Sequence, residues 1–178
     1  MIIFVEGLQL TGKSTMIENS GYNSYKFNFS YYTKEFNIKK RKDLRFFQVG
    51  KDMSMLYFLD KLDANEKIIL IDRGPISSLY YSILLKRFKE KDIENYIKEL
   101  KKYNYNYIFF IPKNNENLSR NKKDYFDKLN KNINYKILNK ICTLCNSNNI
   151  KLKIFINDLE KTIKENVKNF KEVIKECY

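Results

Sequence analysis

Length, composition and charge already narrow the class of protein. The 178 residues, 43% of them hydrophobic, suffice for one domain with a sizeable core, and no run of 18 apolar residues predicts a membrane span. The absence of histidine excludes Ser-His and Cys-His nucleophile pairs and the commonest zinc ligand, so any chemistry must depend on Asp, Glu, Lys, Arg and bound metal. The net charge of +13 comes with 29 Lys but only five Arg, beside 22 Asn, a bias typical of A/T-rich codons rather than of an Arg-based nucleic-acid surface.

Five short apolar runs alternate with segments of helical periodicity along the chain. The strands are predicted at residues 2–6, 25–29, 68–72, 107–111 and 151–156, the second of them on the weakest pattern. The helices are predicted at residues 13–19, 46–62, 76–88, 93–102, 133–145 and 159–174. Because the runs are continuous rather than alternating, we expect both faces of the sheet to be covered. The order predicts an α/β fold, a five-stranded parallel sheet flanked by helices, in a single domain spanning residues 1–178.

The segment between the first strand and the first helix has the spacing of a phosphate-binding loop, Gly-x4-Gly-Lys-Ser. Its backbone N–H groups would cradle phosphates at the N-terminus of the helix. Lys13 would reach the β- and γ-phosphates of ATP, and the Ser14 hydroxyl would ligate Mg²⁺. The predicted cofactors are therefore ATP and Mg²⁺, and the predicted nucleotide-binding residues are Gly7, Leu8, Gln9, Leu10, Thr11, Gly12, Lys13, Ser14 and Thr15.

A second candidate site lies at the end of the third predicted strand, in the stretch "LIDRGPISS". Asp72 ends this strand, which we expect to lie close to the first one. There its carboxylate can hold Mg²⁺ through a water molecule. In a phosphoryl transfer it could instead take a proton from the molecule that accepts the phosphoryl group. The alternative for Asp72 and Arg73 is a surface ion pair that caps the next helix.

Two motifs carry a resemblance to a known family. The stretch "EGLQLTGKST" resembles the opening of thymidylate kinases and of their deoxynucleoside kinase relatives, and "LIDRGPISSLYYS" resembles the strand end and Ser-containing helix start of the same proteins. The resemblance implies a P-loop NTPase three-layer fold with a short lid, here about residues 113–129. It also suggests a viral source or another A/T-rich genome.

The resemblance further implies roles for basic residues. Arg73 would hold the 5′-phosphate or the 5′-oxygen of the acceptor. Arg120 is the expected catalytic arginine of the lid, since residues 8–11 contain no basic side chain. Lys122 and Lys123 would close over the donor phosphates with it, or else form a solvated basic turn.

The stretch "RFFQVGKD" resembles the Phe-Gln segment with which deoxynucleoside kinases read a base edge. By this resemblance Gln48 would donate to and accept from a pyrimidine, and Arg45 would reach the base or a phosphate. The alternative interpretation places Phe46 and Phe47 in the core and leaves Gln48 exposed.

Two further positions concern the acceptor. Glu6 abuts the phosphate-binding loop and would either orient the acceptor or buttress the loop. Gln9 stands where thymidylate kinases commonly have an aspartate near the acceptor sugar, so the sequence leaves the base and sugar of the acceptor open.

The sequence therefore predicts a phosphotransferase that moves the γ-phosphoryl group of ATP to a small nucleotide, a deoxynucleoside monophosphate. The first alternative is a deoxynucleoside kinase, and the second is a polynucleotide 5′-kinase or a nucleic-acid-binding P-loop ATPase, suggested by the charge of +13. A third is a degenerate relative that binds nucleotide without turnover. The predicted partner is a nucleotide or nucleoside; a nucleic acid is disfavoured, no membrane is expected, and a homodimer is an alternative to a monomer.

The three cysteines bear on the compartment. Their odd number, with no signal peptide at the N-terminus, predicts reduced thiols and a cytoplasmic location, the host cytoplasm if the source is viral. Cys142 and Cys145 share a predicted helix with neither a second pair nor any histidine nearby. We expect them to serve packing rather than zinc binding or redox chemistry.

Overall fold

The computed structural model describes residues 1–7, 11–26, 41–61, 68–113 and 131–178, without the side chains of residues 41–45 and 131–134. In this part of the chain the strands are β1 (Ile2–Gly7), β2 (Asn23–Lys26), β3 (Ile69–Asp72), β4 (Asn106–Pro112) and β5 (Lys151–Asn157). The helices are α1 (Lys13–Ser20), α2 (Arg41–Lys61), α3 (Pro75–Leu84), α4 (Glu90–Leu100), α5 (Lys131–Ser147) and α6 (Ile163–Lys175).

The strands form one five-stranded, wholly parallel sheet in the order β2-β3-β1-β4-β5. The predicted parallel sheet is thereby confirmed. The fully buried β1 lies at its centre, with Val5 opposite Asp72 of β3 and Gly7 opposite Phe110 of β4. The chain places β2 and β3 on one side of β1 and then crosses to the other side for β4. In such sheets ligands bind outside the carboxyl ends of the strands at this switch point, which is where the phosphate-binding loop leaves β1.

Apolar side chains cover both faces of the sheet and make three layers. Helices α2, α3, α4 and α5 pack on one face through a cluster that includes Phe4, Leu56, Leu79, Ile97 and Ile141. Helices α1 and α6 pack on the other face. There the rings of Phe110, Phe155 and Phe170 contact one another at centroid separations of 4.6, 5.1 and 5.5 Å. Each such side chain contributes about 1.5–3 kcal/mol when buried, so the core fixes the strand ends that carry the polar residues.

Several predicted boundaries shift, for identifiable reasons. The predicted strand at residues 25–29 begins at Asn23 instead, and residues 27–29 lie outside the described ranges. The last helix begins at Ile163 rather than at residue 159, because Thr162 caps it: its hydroxyl accepts the backbone N–H of Glu165 at 3.2 Å. The helix predicted at residues 46–62 begins already at Arg41.

Two further features of the fold are the packing of the cysteine side chains and the length of the helices. Cys145 is fully buried in the core cluster and Cys142 packs half-buried against it, as expected of side chains that serve packing. No helix within the described ranges is both long and apolar enough to span a bilayer.

Candidate active site

The phosphate-binding loop enters helix α1 through a glycine that no other residue could replace without strain. Gly12 has φ 80°, in the left-handed region, and a Cβ there would lie 2.5 Å from the Asn157 amide nitrogen. That nitrogen donates to the Thr11 carbonyl at 2.9 Å, so the end of β5 holds the loop in place. Gly7, at the other end of the loop, has φ 126° and approaches the backbone of Phe110.

Lys13 is the first residue of α1 and is almost completely buried. Its Nζ lies 3.2 Å from the Thr11 hydroxyl. Burial, and next the positive charge of Arg73, lower the pKa of Lys13 to about 7, although Asp72 acts in the opposite direction. An ammonium group at a helix N-terminus, with its pKa lowered by burial and by a neighbouring cation, is stabilised by an anion such as a phosphate.

Ser14 and Asp72 meet at the junction of α1 and β3. The Ser14 hydroxyl donates to Asp72 Oδ2 at 2.8 Å, and the second carboxylate oxygen, Oδ1, is buried without a hydrogen-bond partner among the described residues. The register that sets Val5 opposite Asp72 brings the two side chains together. A hydroxyl beside a carboxylate with an unused oxygen is a donor set that suits Mg²⁺. The two residues predicted to hold the metal therefore lie together and fit it.

Arg73 has an unusual backbone conformation. Its φ is 71°, although it is not glycine, and its backbone N–H donates to the Val5 carbonyl at 3.0 Å. Such a conformation costs about 1–3 kcal/mol, and residues held in it tend to cluster at functional sites. The alternative in which Arg73 forms a surface ion pair with Asp72 is wrong. Asp72 is buried, and its carboxylate contacts the Ser14 hydroxyl and the Lys26 ammonium group.

Glu6 caps helix α3 from the neighbouring strand. Its fully buried carboxylate accepts the backbone N–H groups of Gly74, Ile76 and Ser77 at 2.9, 3.1 and 3.0 Å, and also the Ser77 hydroxyl. Burial raises the pKa of Glu6, and these hydrogen bonds offset part of the increase. The Ser77 hydroxyl in turn accepts the N–H of Gly7 at 3.0 Å. Since both oxygens of Glu6 are occupied by α3, the geometry favours the buttressing role over contact with an acceptor.

Gln48 belongs to a buried polar network between α2, α3 and α4. Its amide nitrogen donates to Asp52 Oδ2 at 3.0 Å and to the Ser78 hydroxyl, and the Tyr96 hydroxyl donates to the same Asp52 oxygen at 2.6 Å. The alternative of an exposed Gln48 beside a buried Phe46 is wrong: Gln48 is 3% exposed and Phe46 is 57% exposed.

The remaining predicted site residues are exposed or have side chains outside the described part of the structure. Arg45 lies on α2, but its side chain is not described. Thr15 is exposed on α1. The predicted site residues that lie outside the described ranges are Leu8, Gln9, Leu10 and Arg120, together with Lys122, Lys123 and the lid beyond residue 113.

The site also contains residues that the sequence did not reveal. Asp52 follows Gln48 by four positions, a helical spacing that could have suggested their contact. No local pattern marks Tyr96, or Lys26 and Asn157 at the ends of the two edge strands. Their proximity to the loop depends on the strand order.

Comparison with known proteins supports the fold. No protein-family model matches the chain, and no curated protein matches it. Among solved structures, a thymidylate kinase from Ehrlichia chaffeensis aligns at 11% identity with a TM-score of 0.64, over 98% of this chain and 98% of that one. A thymidylate kinase from Candida albicans aligns at 18% identity with a TM-score of 0.63, over 98% and 91%. A deoxyadenosine kinase from M. mycoides, with dCMP and a flexible dCDP bound, aligns at 20% identity with a TM-score of 0.57, over 99% and 100%.

These likenesses define a class of fold. The chain has the P-loop kinase fold, an α/β sandwich of three layers around a parallel sheet. Within that class it is similar to the thymidylate and deoxynucleoside kinases, as the two sequence motifs predicted.

Proposed function

We propose that this protein is a kinase that transfers the γ-phosphoryl group of ATP to a deoxynucleoside monophosphate. The observation that carries the proposal is the Ser14–Asp72 hydrogen bond of 2.8 Å, with an unused Asp72 oxygen, next to the buried Lys13. A loop that binds phosphate, a pair of residues that suits Mg²⁺ and an arginine beside them are the parts that phosphoryl transfer requires.

The residues have separate roles in this proposal. Lys13 binds the β- and γ-phosphates from the start of α1 and neutralises the charge on the transferred group. Ser14 and Asp72 would hold Mg²⁺, which would neutralise charge on the phosphates of ATP. Arg73 orients the acceptor from the end of β3, and Arg120 would serve the transferred group from the lid.

The resemblance to solved structures leaves one rival with support of its own. Deoxyadenosine kinase has the same fold, and a deoxynucleoside acceptor would present a 5′-hydroxyl where a monophosphate presents a phosphate. The two functions differ in whether the acceptor carries charge, so a screen of acceptors separates them directly.

The test is a transfer assay with ATP labelled at the γ-phosphate, Mg²⁺, and three groups of acceptors. These are the four deoxynucleoside 5′-monophosphates, the four deoxynucleosides, and an oligonucleotide with a 5′-hydroxyl. We expect labelled diphosphate from at least one monophosphate, at a higher kcat/KM than from any nucleoside.

Two variants serve as controls in the same assay. Lys13→Ala removes the positive charge that would neutralise the transferred group, and Asp72→Asn removes the negative charge that would hold the metal. Both should lower the transfer rate by at least about 100-fold while they retain cooperative thermal unfolding. Turnover like that of the original protein in Lys13→Ala, or labelling of the oligonucleotide alone, would refute the proposal.

A further inference from the structure

Lys26 ends the edge strand β2 directly opposite Asp72 of β3. Its Nζ lies 3.7 Å from Asp72 Oδ2, the oxygen that accepts the Ser14 hydroxyl at 2.8 Å. A separation of 3.7 Å is too long for a hydrogen bond, so the ammonium is attracted to the carboxylate without being fixed by it. The side chain is 62% exposed and is free to turn towards a ligand above the strand ends.

Among the described residues, the carboxyl edge of the sheet carries unequal charge on the two sides of the phosphate-binding loop. On the β4–β5 side, Lys113 is neutralised by Asp158 at 2.8 Å and by Glu160 at 3.7 Å. On the β2–β3 side, the guanidinium of Arg73 makes no ion pair with a described residue, and Lys26 shares the single carboxylate of Asp72 with the Ser14 hydroxyl.

The excess of positive charge lies close to the loop. Lys26 lies opposite Asp72, and Arg73 follows Asp72 directly. The hydroxyl that donates to Asp72 belongs to Ser14, the residue after Lys13. The carboxylate of Glu6 is occupied by hydrogen bonds from the start of α3. In the proposed function Lys13 serves the donor phosphates, so Arg73 and Lys26 are left for a second anion.

We propose that Lys26 is a specificity-determining residue that, together with Arg73, binds the phosphate of the acceptor and so favours a nucleoside monophosphate over a nucleoside. The inference rests on the proposed function, since it concerns the acceptor of that reaction. It assigns the β2–β3 side of the loop to the acceptor phosphate and adds a contact that the sequence motifs do not contain.

The test measures binding by calorimetry without ATP or metal, so it depends on neither turnover nor the Mg²⁺ site. The probes are the four deoxynucleoside 5′-monophosphates and the four matching deoxynucleosides. The variants are Lys26→Met, Lys26→Arg and, as a matched control, Lys151→Met, which removes an exposed lysine from the opposite edge strand at its amino end. Because Lys26 is exposed, we expect the protein to fold normally with either substitution at this position, and thermal melting verifies this.

The expected result is a charge effect confined to phosphorylated ligands. Lys26→Met should raise the Kd of the best-binding monophosphate about 3- to 10-fold, as for the loss of one charged hydrogen bond at an exposed site. Lys26→Arg should restore most of the affinity, Lys151→Met should change nothing, and nucleoside binding should be equal in all proteins.

Three results would overturn the inference: an unchanged monophosphate Kd in Lys26→Met, an equal loss for nucleosides, or an original protein that binds none of the monophosphates. If monophosphate binding depends on Lys26 but the original protein transfers no phosphoryl group, the proposed function fails and the acceptor-phosphate site stands. If Lys26→Met folds poorly, two other measurements decide the matter. These are the monophosphate affinity of Lys26→Arg and the salt dependence of monophosphate binding, which must weaken with salt if a phosphate is contacted.

Discussion

At the scale of single residues, the protonation of Lys13 should depend on the nucleotide. Burial, aided by Arg73, holds the pKa of Lys13 at about 7, so at pH 8 most of the free protein carries a neutral amine. A bound polyphosphate favours the ammonium form and raises the pKa. ATP binding at pH 8 should therefore take up about 0.5–1 proton, and affinity should fall as pH rises above 7.

Calorimetry in buffers of different ionisation enthalpy measures this uptake. At pH 8 the phosphates of ATP are already deprotonated, so the signal reports the protein. Lys13→Met should bind ATP more weakly and with no proton uptake. A binding enthalpy that is independent of the buffer in the original protein would contradict the expectation.

A second residue-scale prediction concerns Gly12 and Asn157. Gly12→Ala adds a Cβ at φ 80° that meets the Asn157 amide nitrogen at 2.5 Å, whereas Gly21→Ala adds one at φ 77° with nothing within 4 Å. The Gly21 variant therefore isolates the backbone strain, about 1 kcal/mol, and the Gly12 variant should lose about 1–2 kcal/mol more.

Denaturant unfolding of the two glycine variants gives the comparison. In an Asn157→Ala background the extra loss at Gly12 should disappear, because the steric contact is gone. Equal losses for Gly12→Ala and Gly21→Ala would show that Asn157 does not constrain the loop.

At the scale of elements, helix α3 depends on a carboxylate from β1. Glu6→Gln replaces an acceptor of four hydrogen bonds with an amide that offers one oxygen, and it removes a negative charge from a helix N-terminus. We expect the free energy of unfolding to fall by about 1–3 kcal/mol. Glu18→Gln, on an exposed position of α1, is the matched control and should be nearly neutral.

Denaturant unfolding and a transfer assay should be made on the same Glu6→Gln preparation. Because Ser77 links Glu6 to the N–H of Gly7, the loss of stability should be accompanied by weaker nucleotide binding. Loss of activity with stability unchanged would instead support the first role considered for Glu6, the orientation of the acceptor.

The elements also show why the sequence predicts part of the site and not the rest. Lys13, Ser14 and Asp72 were predictable, since each belongs to a local motif at the end of a strongly apolar strand. Lys26 was not, because β2 is a short exposed edge strand whose sequence, NSYK, has a single apolar residue. The apolar pattern predicted a strand at residues 25–29, which set Lys26 near its beginning; the structure sets it at the carboxyl end, beside Asp72.

At the scale of the whole molecule, part of the positive charge on the described residues is offset by neighbouring acidic side chains. Described lysines on different elements pair with acidic neighbours at 2.7–2.9 Å: Lys102 with Glu99 on α4, Lys140 with Glu90 between α5 and α4, Lys153 with Glu176 beside β5, and Lys175 with Glu172 on α6. Such exposed pairs contribute little to stability, but they reduce the local potential that a nucleic acid would meet. Local pairing of this kind agrees with a genomic preference for lysine codons rather than with a selected nucleic-acid surface.

The last prediction follows from this distribution of charge. A labelled single-stranded oligonucleotide, titrated near physiological salt, should bind with a Kd of about 10⁻⁴–10⁻⁶ M and with a steep dependence on salt, as for non-specific binding. Replacement of two lysines that are already paired with glutamates, Lys140→Gln with Lys175→Gln, should weaken it by no more than about threefold, since their acidic partners already offset their charge. The Lys13→Ala protein should bind the oligonucleotide as the original does, because the phosphate-binding loop takes no part. Sub-micromolar affinity, or loss of oligonucleotide binding in Lys13→Ala, would contradict the prediction and bring the polynucleotide 5′-kinase ahead of the monophosphate kinase, because the loop would then be acting on a nucleic-acid end.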